Sequence, residues 1–216
     1  HLVAAVRGVD LDARFRDVLA EAASMAGVDL DAPDAAPLPP RREAAPPPPD
    51  DAPDEFPAFA AALLAAAPLS APDAGDVREY LSRRGILAGA VADGWGALPS
   101  TGEGLARLQR ELVAAVGEAA WQASGLARKG GGWLFSSHRI VIPWRDPSGA
   151  VTRLQRRAVG HVEGVRYVAR SGAGATAPYG AEQLRDAGDG CVVAITEGAV
   201  DALALRAACE RDGCDA

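Results

Sequence analysis

With 216 residues the chain is long enough for one or two domains. Hydrophobic residues make up 49% of it and charged residues 24%, an ordinary composition for a soluble globular protein; no apolar run approaches the roughly 18 residues that would signal a membrane span. The net charge of −7 hides a segregation, because residues 1–74 carry −8, residues 75–170 carry +6 and residues 171–216 carry −5.

In chain order, the sequence opens at His1 without a basic-then-apolar leader and reads as an internal cut in a longer protein. Leu11, Phe15, Val18, Leu19, Ala22 and Met25 recur at helical spacing, with Gly27 as a stop, so residues 1–31 are expected to hold a short helical piece too small for its own core. Residues 32–73 read as a Pro-rich disordered linker. Ten of the 16 prolines fall within 33–57, among acidic residues that bury too little apolar surface to offset ordering.

A folded domain is expected from residue 74. Asp76 to Arg84 predicts a helix ended by Gly85, and 105–126 predicts one or two amphipathic helices weakened at Gly117 and Gly125. The segment GLARKGGGW (125–133) lacks both G-x-G-x-x-G and the P-loop Lys-Ser/Thr, and reads as a flexible loop. RIVIPW (139–144), the turn DPSG and AVTRLQRRAV (150–159) predict a β-hairpin, and VRYVAR (165–170) a third strand. The last unit is a buried strand over 191–196 followed by a helix over 199–210. The three cysteines, Cys191, Cys209 and Cys214, are odd in number and form no disulfide framework, which fits a reducing cytoplasm.

Three constellations bear on chemistry. Between 125 and 170 nine basic residues accompany only Asp146 and Glu163, and such a block suits a polyanionic partner or, equally on charge alone, a solvated arginine surface. Alternation puts Arg153, Gln155 and Arg157 on one strand face, a strip suited to phosphate contacts; the polar outer face of an antiparallel sheet reads the same way. At the end of the last strand stands Glu197-Gly198, with Asp201 in the first turn of the helix after it. A ligand binds at such a sheet edge in open α/β folds, and two carboxylates there suit Mg²⁺, although stabilisation of a helix N-terminus also accounts for Asp201. His138 and His161 have no Cys or His at metal spacing, and Cys209 and Cys214 have no second ligand pair, so no zinc site is read from them.

Taken in order, REYLSRRGI (78–86), ASGLARKGGGWL, HRIVIPWRDPSGAV, RRAVG, RYV, PYG and ITEGAVDALAL make residues 74–205 resemble the catalytic core of bacterial DnaG-type primases. The last of these resembles the V-E-G-x-x-D motif that opens a TOPRIM domain, and residues 1–31 resemble the end of the zinc-ribbon domain that precedes the core.

The resemblance implies an α/β fold: an α+β primase core subdomain over 74–189, leading into a truncated TOPRIM unit over 190–216. It implies a DNA primase, a nucleotidyltransferase that makes short RNA primers on single-stranded DNA from nucleoside triphosphates. Glu197 and Asp201 would be its catalytic, Mg²⁺- or Mn²⁺-binding carboxylates. Arg139, Arg153, Arg157, Arg166 and Tyr167 would line the template and nucleotide groove. Zn²⁺ would belong to the parent's zinc ribbon, whose ligands lie outside this chain, and a replicative helicase would be a further partner. The family's Asn-Ser reads Ala169-Arg170 here, a lysine before Tyr179-Gly180 is missing, and an upstream arginine is Ser137, which marks a divergent member. The sequence stops at Ala216, before a D-x-D strand, so this piece is expected to be inactive alone. Two other classes stay open: another TOPRIM enzyme, a nuclease or topoisomerase, and a non-catalytic single-stranded nucleic-acid-binding module.

Overall fold

The computed structural model describes residues 5–6, 55–128, 131–160, 162, 164–169, 177–184 and 193–211. The elements in chain order are β1 (Ala5–Val6), α1 (Phe56–Ala66), a 3₁₀ turn (Pro72–Ala74), α2 (Gly75–Arg83), α3 (Leu87–Ala92), β2 (Gly96–Ala97), α4 (Gly102–Ala123), β3 (Ile140–Arg145), β4 (Val151–Arg157), β5 (Tyr167–Ala169), α5 (Ala181–Leu184), β6 (Val193–Ala194) and α6 (Ala199–Arg211). They fall into two compact units, His1–Pro46 with Asp186–Glu197, and Pro47–Arg185 with Gly198–Ala216.

The larger unit is built on an antiparallel sheet of order β2-β3-β4-β5. The β3–β4 hairpin is the expected one, closed by Asp146, whose side chain accepts from the Ser148 and Ala150 backbone N–H groups. The Ser148 hydroxyl bonded to it, and then those backbone donors, hold the Asp146 carboxyl below its usual range. Pairing is in register from Ile140 opposite Arg157 to Trp144 opposite Arg153, then shifts at a bulge between Trp144 and Arg145. That register assigns the two faces of the sheet. Val141 and Leu154 point one way, into a core with Phe59 and Leu63 of α1 and Leu108, Leu112 and Trp121 of α4. Ile140 and Ile142 point the other way, into a second core with Val77 and Leu81 of α2, Ala90 of α3 and Ala199, Val200 and Leu203 of α6. Helices therefore cover both faces, in a mixed fold of helices and antiparallel sheet that belongs to the α/β class.

Three expectations need correction. The disordered linker does not extend to residue 73, because α1 occupies 56–66 and its Phe59, Ala60 and Leu63 are completely buried. Phe56, Phe59, Ala60 and Leu63 repeat at helical spacing, and Pro57 sits in the first turn, where a missing N–H costs nothing. The segment around GLARKGGGW is pinned where it is described: Ala127 bridges Trp133, and the buried Trp133 indole donates to the Leu105 carbonyl at 2.9 Å. The strand before Glu197 is not buried. In the smaller unit β6 is two residues long and antiparallel to β1, Val193 and Ala194 are exposed, and Ile195 after them is 58% exposed. With a two-residue partner there is too little sheet to cover them. Of the expected N-terminal helical piece, Ala5–Val6 is strand and the rest lies outside the described residues, as do His161, Arg170, Cys191 and Cys214.

The helix expected over 105–126 forms as α4. Thr101 caps it by accepting from Gly104 N–H at 3.0 Å, and Gly117 breaks it with φ 87° and ψ 159°, a conformation that suits glycine. The helix expected at 199–210 forms as α6. Among the described residues no helix is long and apolar enough to cross a membrane.

Candidate nucleic-acid interface

The face that carries Arg153, Gln155 and Arg157 is also the face of Ile140, Ile142 and Trp144, since these residues are paired directly across the hairpin. It is therefore no freely solvated outer face. Helices α2, α3 and α6 cover its β3 half, and its β4 and β5 half carries the polar strip.

Arg157 is 3% exposed, and its guanidinium lies between two tyrosine rings, 4.7 Å from the Tyr80 centroid and 5.3 Å from that of Tyr167. Its Nε donates to the Tyr167 hydroxyl at 3.0 Å and its Nη1 to the Ala158 carbonyl at 3.1 Å. Arg84 also lies over the Tyr80 ring, at 5.1 Å. Arg84, Tyr80, Arg157 and Tyr167 thus form a cluster of cations and rings, each cation–ring contact favoured by the ring quadrupole. Farther along β4, Arg153 lies 5.4 Å over the Trp144 ring. Arg153 Nε and Trp144 Nε1 are both shielded from water, and neither meets a hydrogen-bond acceptor among the described residues. Buried donors left without an acceptor cost free energy, which a polar partner that reached them would recover. Arg166, one residue before β5, is exposed.

Arg139 departs from its expected place. It is 7% exposed and turned into the protein, where Nε donates to Leu98 O at 2.8 Å, Nη2 to Asp73 O at 2.8 Å, and Nη1 to the Asp76 carboxylate. Each of its three nitrogens donates once, tying the start of β3 to Leu98 after β2, to Asp73 in the 3₁₀ turn and to Asp76 in α2. Arg156, on the opposite sheet face, is almost fully buried; burial lowers its pKa to about 10, and its Nη2 donates to Leu134 O at 2.8 Å. His138 is buried too, 2.8 Å from Val165 O through Nε2 and 3.2 Å from the Ser137 hydroxyl through Nδ1.

Sequence reasoning missed a polar network that fastens α6 to the core. Arg206 donates to Asp93 at 2.8 Å and to Gly89 O at 3.3 Å. The Tyr179 hydroxyl donates to the same Asp93 carboxylate and accepts from the Trp95 indole at 2.9 Å. Burial, followed by the hydrogen bond to Asp93, pushes the Tyr179 phenol well above its usual range. The PYG segment was visible in the sequence, but its partners lie 84 to 86 positions upstream and leave no local signal.

Glu197 and Asp201 are both exposed. Asp201 lies in the first turn of α6, with its N–H bonded to Gly198 O at 3.1 Å. Each of the two residues offers hard carboxylate oxygen, the donor type that Mg²⁺ takes. Among the described residues no group of three or more His, Cys, Asp or Glu side chains is gathered for a metal.

No protein-family model matches the chain, and no curated protein does. Solved structures do match. The Aquifex aeolicus primase, comprising zinc-binding and RNA polymerase domains, aligns at a TM-score of 0.53 and 20% identity over 89% of this chain and 45% of that one. The chain shares its fold with this primase. The RNA polymerase domain of Mycobacterium tuberculosis primase DnaG, solved with a double-stranded DNA oligomer carrying a 6-nucleotide overhang, aligns at 26% identity over 55% of this chain and 39% of that one, with a TM-score of 0.44. A primase domain from Pseudomonas aeruginosa aligns at 21% identity over 54% and 37%, with a TM-score of 0.40. The chain spans less than half the length of each of these solved chains.

Proposed function

We propose that this chain is the template-holding part of a DNA primase, a nucleotidyltransferase that builds short RNA primers on single-stranded DNA. Fold alone does not assign function. What carries the reading is the site: guanidinium groups set against aromatic rings, Arg157 against Tyr80 and Tyr167 and Arg153 against Trp144, with the exposed Arg166 next to Tyr167 in the chain, all in a chain of primase fold. Arginines and aromatic rings together hold a nucleic-acid strand by its phosphates and by its base faces. Arg153, Arg166 and Tyr167 are the groups assigned to the strand; Arg157 stiffens the groove from beneath.

In this reading Glu197 and Asp201 hold Mg²⁺ or Mn²⁺ in the whole protein, with remaining ligands from water, nucleotide phosphates and residues of the parent. When bound, the cation supplies charge stabilisation to an attacking 3′-hydroxyl and a leaving pyrophosphate. Asp201 is exposed in the first turn of a helix that the Asp93–Arg206 pair fixes to the core. Nucleoside triphosphates, a helicase, the zinc ribbon and a cytoplasmic site of action belong to this same reading of the parent.

A non-catalytic strand-binding module is the second reading. It is favoured by the departures from the family pattern, Ala169-Arg170 in place of Asn-Ser and no lysine before Tyr179-Gly180. The experiment that separates them uses the full-length parent. Glu197→Gln is expected to abolish labelled-nucleotide incorporation on a single-stranded template with Mg²⁺ while leaving template affinity within about twofold. Retained incorporation by Glu197→Gln would rule out the metal role, and no incorporation by the unmodified parent would favour the module. In the isolated chain, Arg153→Ala is expected to reduce the log-log salt slope of single-stranded DNA binding by about 0.7.

A further inference from the structure

Phe135 is the one described residue other than glycine with a positive φ, at 50°, and it is 51% exposed. A bulky residue in the left-handed region is a strained choice, and an exposed aromatic ring gains nothing from burial to offset it. The surroundings enforce the conformation. The almost fully buried Arg156 donates through Nη2 to Leu134 O at 2.8 Å and through Nη1 to Phe135 O at 3.4 Å. His138 N–H also donates to Phe135 O, at 3.0 Å, and the His138 ring meets the Phe135 ring edge-on with centroids 5.6 Å apart. One face of the phenyl group is therefore steadied while much of the ring stays in solvent.

The neighbourhood carries arginine and neutral polar groups, Ser136 and Ser137 among them. His138 Nε2 is 2.8 Å from Val165 O, which places the 61% exposed Val165 and the exposed Arg166 beside this loop, at the end of the sheet where β3 starts and β4 ends. No acidic residue occurs from Trp133 to Arg145. An exposed ring in a loop bonded to the residue before an exposed arginine matches the chemistry of a single nucleic-acid strand, whose unpaired bases stack and whose phosphates pair with guanidinium. Duplex DNA, with its bases already stacked, has no use for such a ring.

We infer that Phe135 is a base-stacking platform for single-stranded nucleic acid, with Arg166 holding the adjacent phosphate and Arg156 fixing the loop from within. The inference deepens the template-holding reading and rests on it. Stacking and charge are separable by salt, and that separation is the test. Anisotropy titrations of the chain with a labelled oligothymidylate of about 16 nucleotides, over a series of salt concentrations, compare the unmodified chain with Phe135→Ala, Phe135→Gly, Phe135→Trp and Arg166→Ala. Phe135→Ala should weaken binding by roughly 5- to 100-fold with an unchanged salt slope, and Phe135→Trp should restore it. Phe135→Gly should lose affinity equally while its denaturation midpoint stays level or rises, since glycine accepts the backbone conformation. Arg166→Ala should lower the slope by about 0.7. Binding by Phe135→Ala within twofold of the unmodified chain, beside a lowered slope for Arg166→Ala, would overturn the stacking role and leave the template-holding reading intact. Joint loss of affinity and stability in Phe135→Gly would reduce Phe135 to a packing residue. Failure of the unmodified chain to bind the oligomer would remove both.

Discussion

Replacing Arg206 with methionine tests how α6 is held. The guanidinium reaches Asp93 at 2.8 Å and Gly89 O at 3.3 Å, with side chains 23% and 12% exposed for Arg206 and Asp93. Arg206→Met keeps much of the apolar stem but leaves the Asp93 carboxylate with the Tyr179 hydroxyl alone. Breaking a fully buried pair costs about 3–5 kcal/mol, and a hydrogen bond to a charged group about 1.5–3 kcal/mol. Arg206 keeps nearly a quarter of its exposure, so the lower range applies, and a loss of about 2–3 kcal/mol is expected. Asp93→Asn should cost a similar amount. The double variant should cost less than the sum by about 1–2 kcal/mol, because the second change removes the charge that the first left unpaired. Urea denaturation of the four proteins at neutral pH, with equal m-values, reads the cycle. Additivity within roughly 0.5 kcal/mol would show that the pair is only proximity.

Leu63→Ala should cost about 2–5 kcal/mol, because Leu63 is completely buried between α1 and the sheet; a change under about 0.5 kcal/mol by urea denaturation would place 56–66 outside the core after all. Gly96→Ala should destabilise by about 1–3 kcal/mol, since an added Cβ would lie 2.7 Å from the Ala67 backbone oxygen, which cannot swing aside; an unchanged midpoint would contradict that close approach. Tyr179 keeps its proton in the fold where the unfolded chain releases it near pH ~10, so its contribution is complete below that pH and shrinks as pH rises further. The stability gap between the unmodified chain and Tyr179→Phe should narrow from about pH 9 to pH 11 in urea titrations, and a constant gap would mean that the phenol titrates normally.

The hairpin β3–β4, the helix α4 and its break at Gly117 were readable because each rests on local signals: alternation, an Asp-Pro-Ser-Gly turn, and helical periodicity interrupted by glycine. Helix α1 was hidden by its setting, since Phe56, Phe59 and Leu63 carry the right period directly behind a proline-dense stretch. The face shared by Arg153, Gln155 and Arg157 was correctly assigned, but not what covers it. The sign was present in β3, where Ile140, Ile142 and Trp144 alternate and the hairpin register brings them beside those arginines. Arg139 was read as a groove residue because its burial depends on Asp73 and Asp76, more than 60 positions away. Phe135 escaped notice because a single exposed aromatic has no period, and only the backbone angle marks it. What can hold Glu197 and Asp201 in a working site was legible only as a motif.

The two faces of the sheet also differ in when they can be covered. The α1–α4 core draws all its buried members from Phe56 to Leu154, so it is complete once β4 has left the ribosome. The core on the other face needs Ala199, Val200 and Leu203, and its Asp93–Arg206 clasp spans 113 positions. At about 5–20 residues per second, α6 follows β4 by some seconds during synthesis, so the positions that Ala199, Val200 and Leu203 fill wait for it while Val77, Leu81 and Ala90 are already in place. Nascent chains stalled near residue 180 should therefore hold one complete core and a second that lacks only the α6 contribution, and that second face should gain protease resistance once α6 is made.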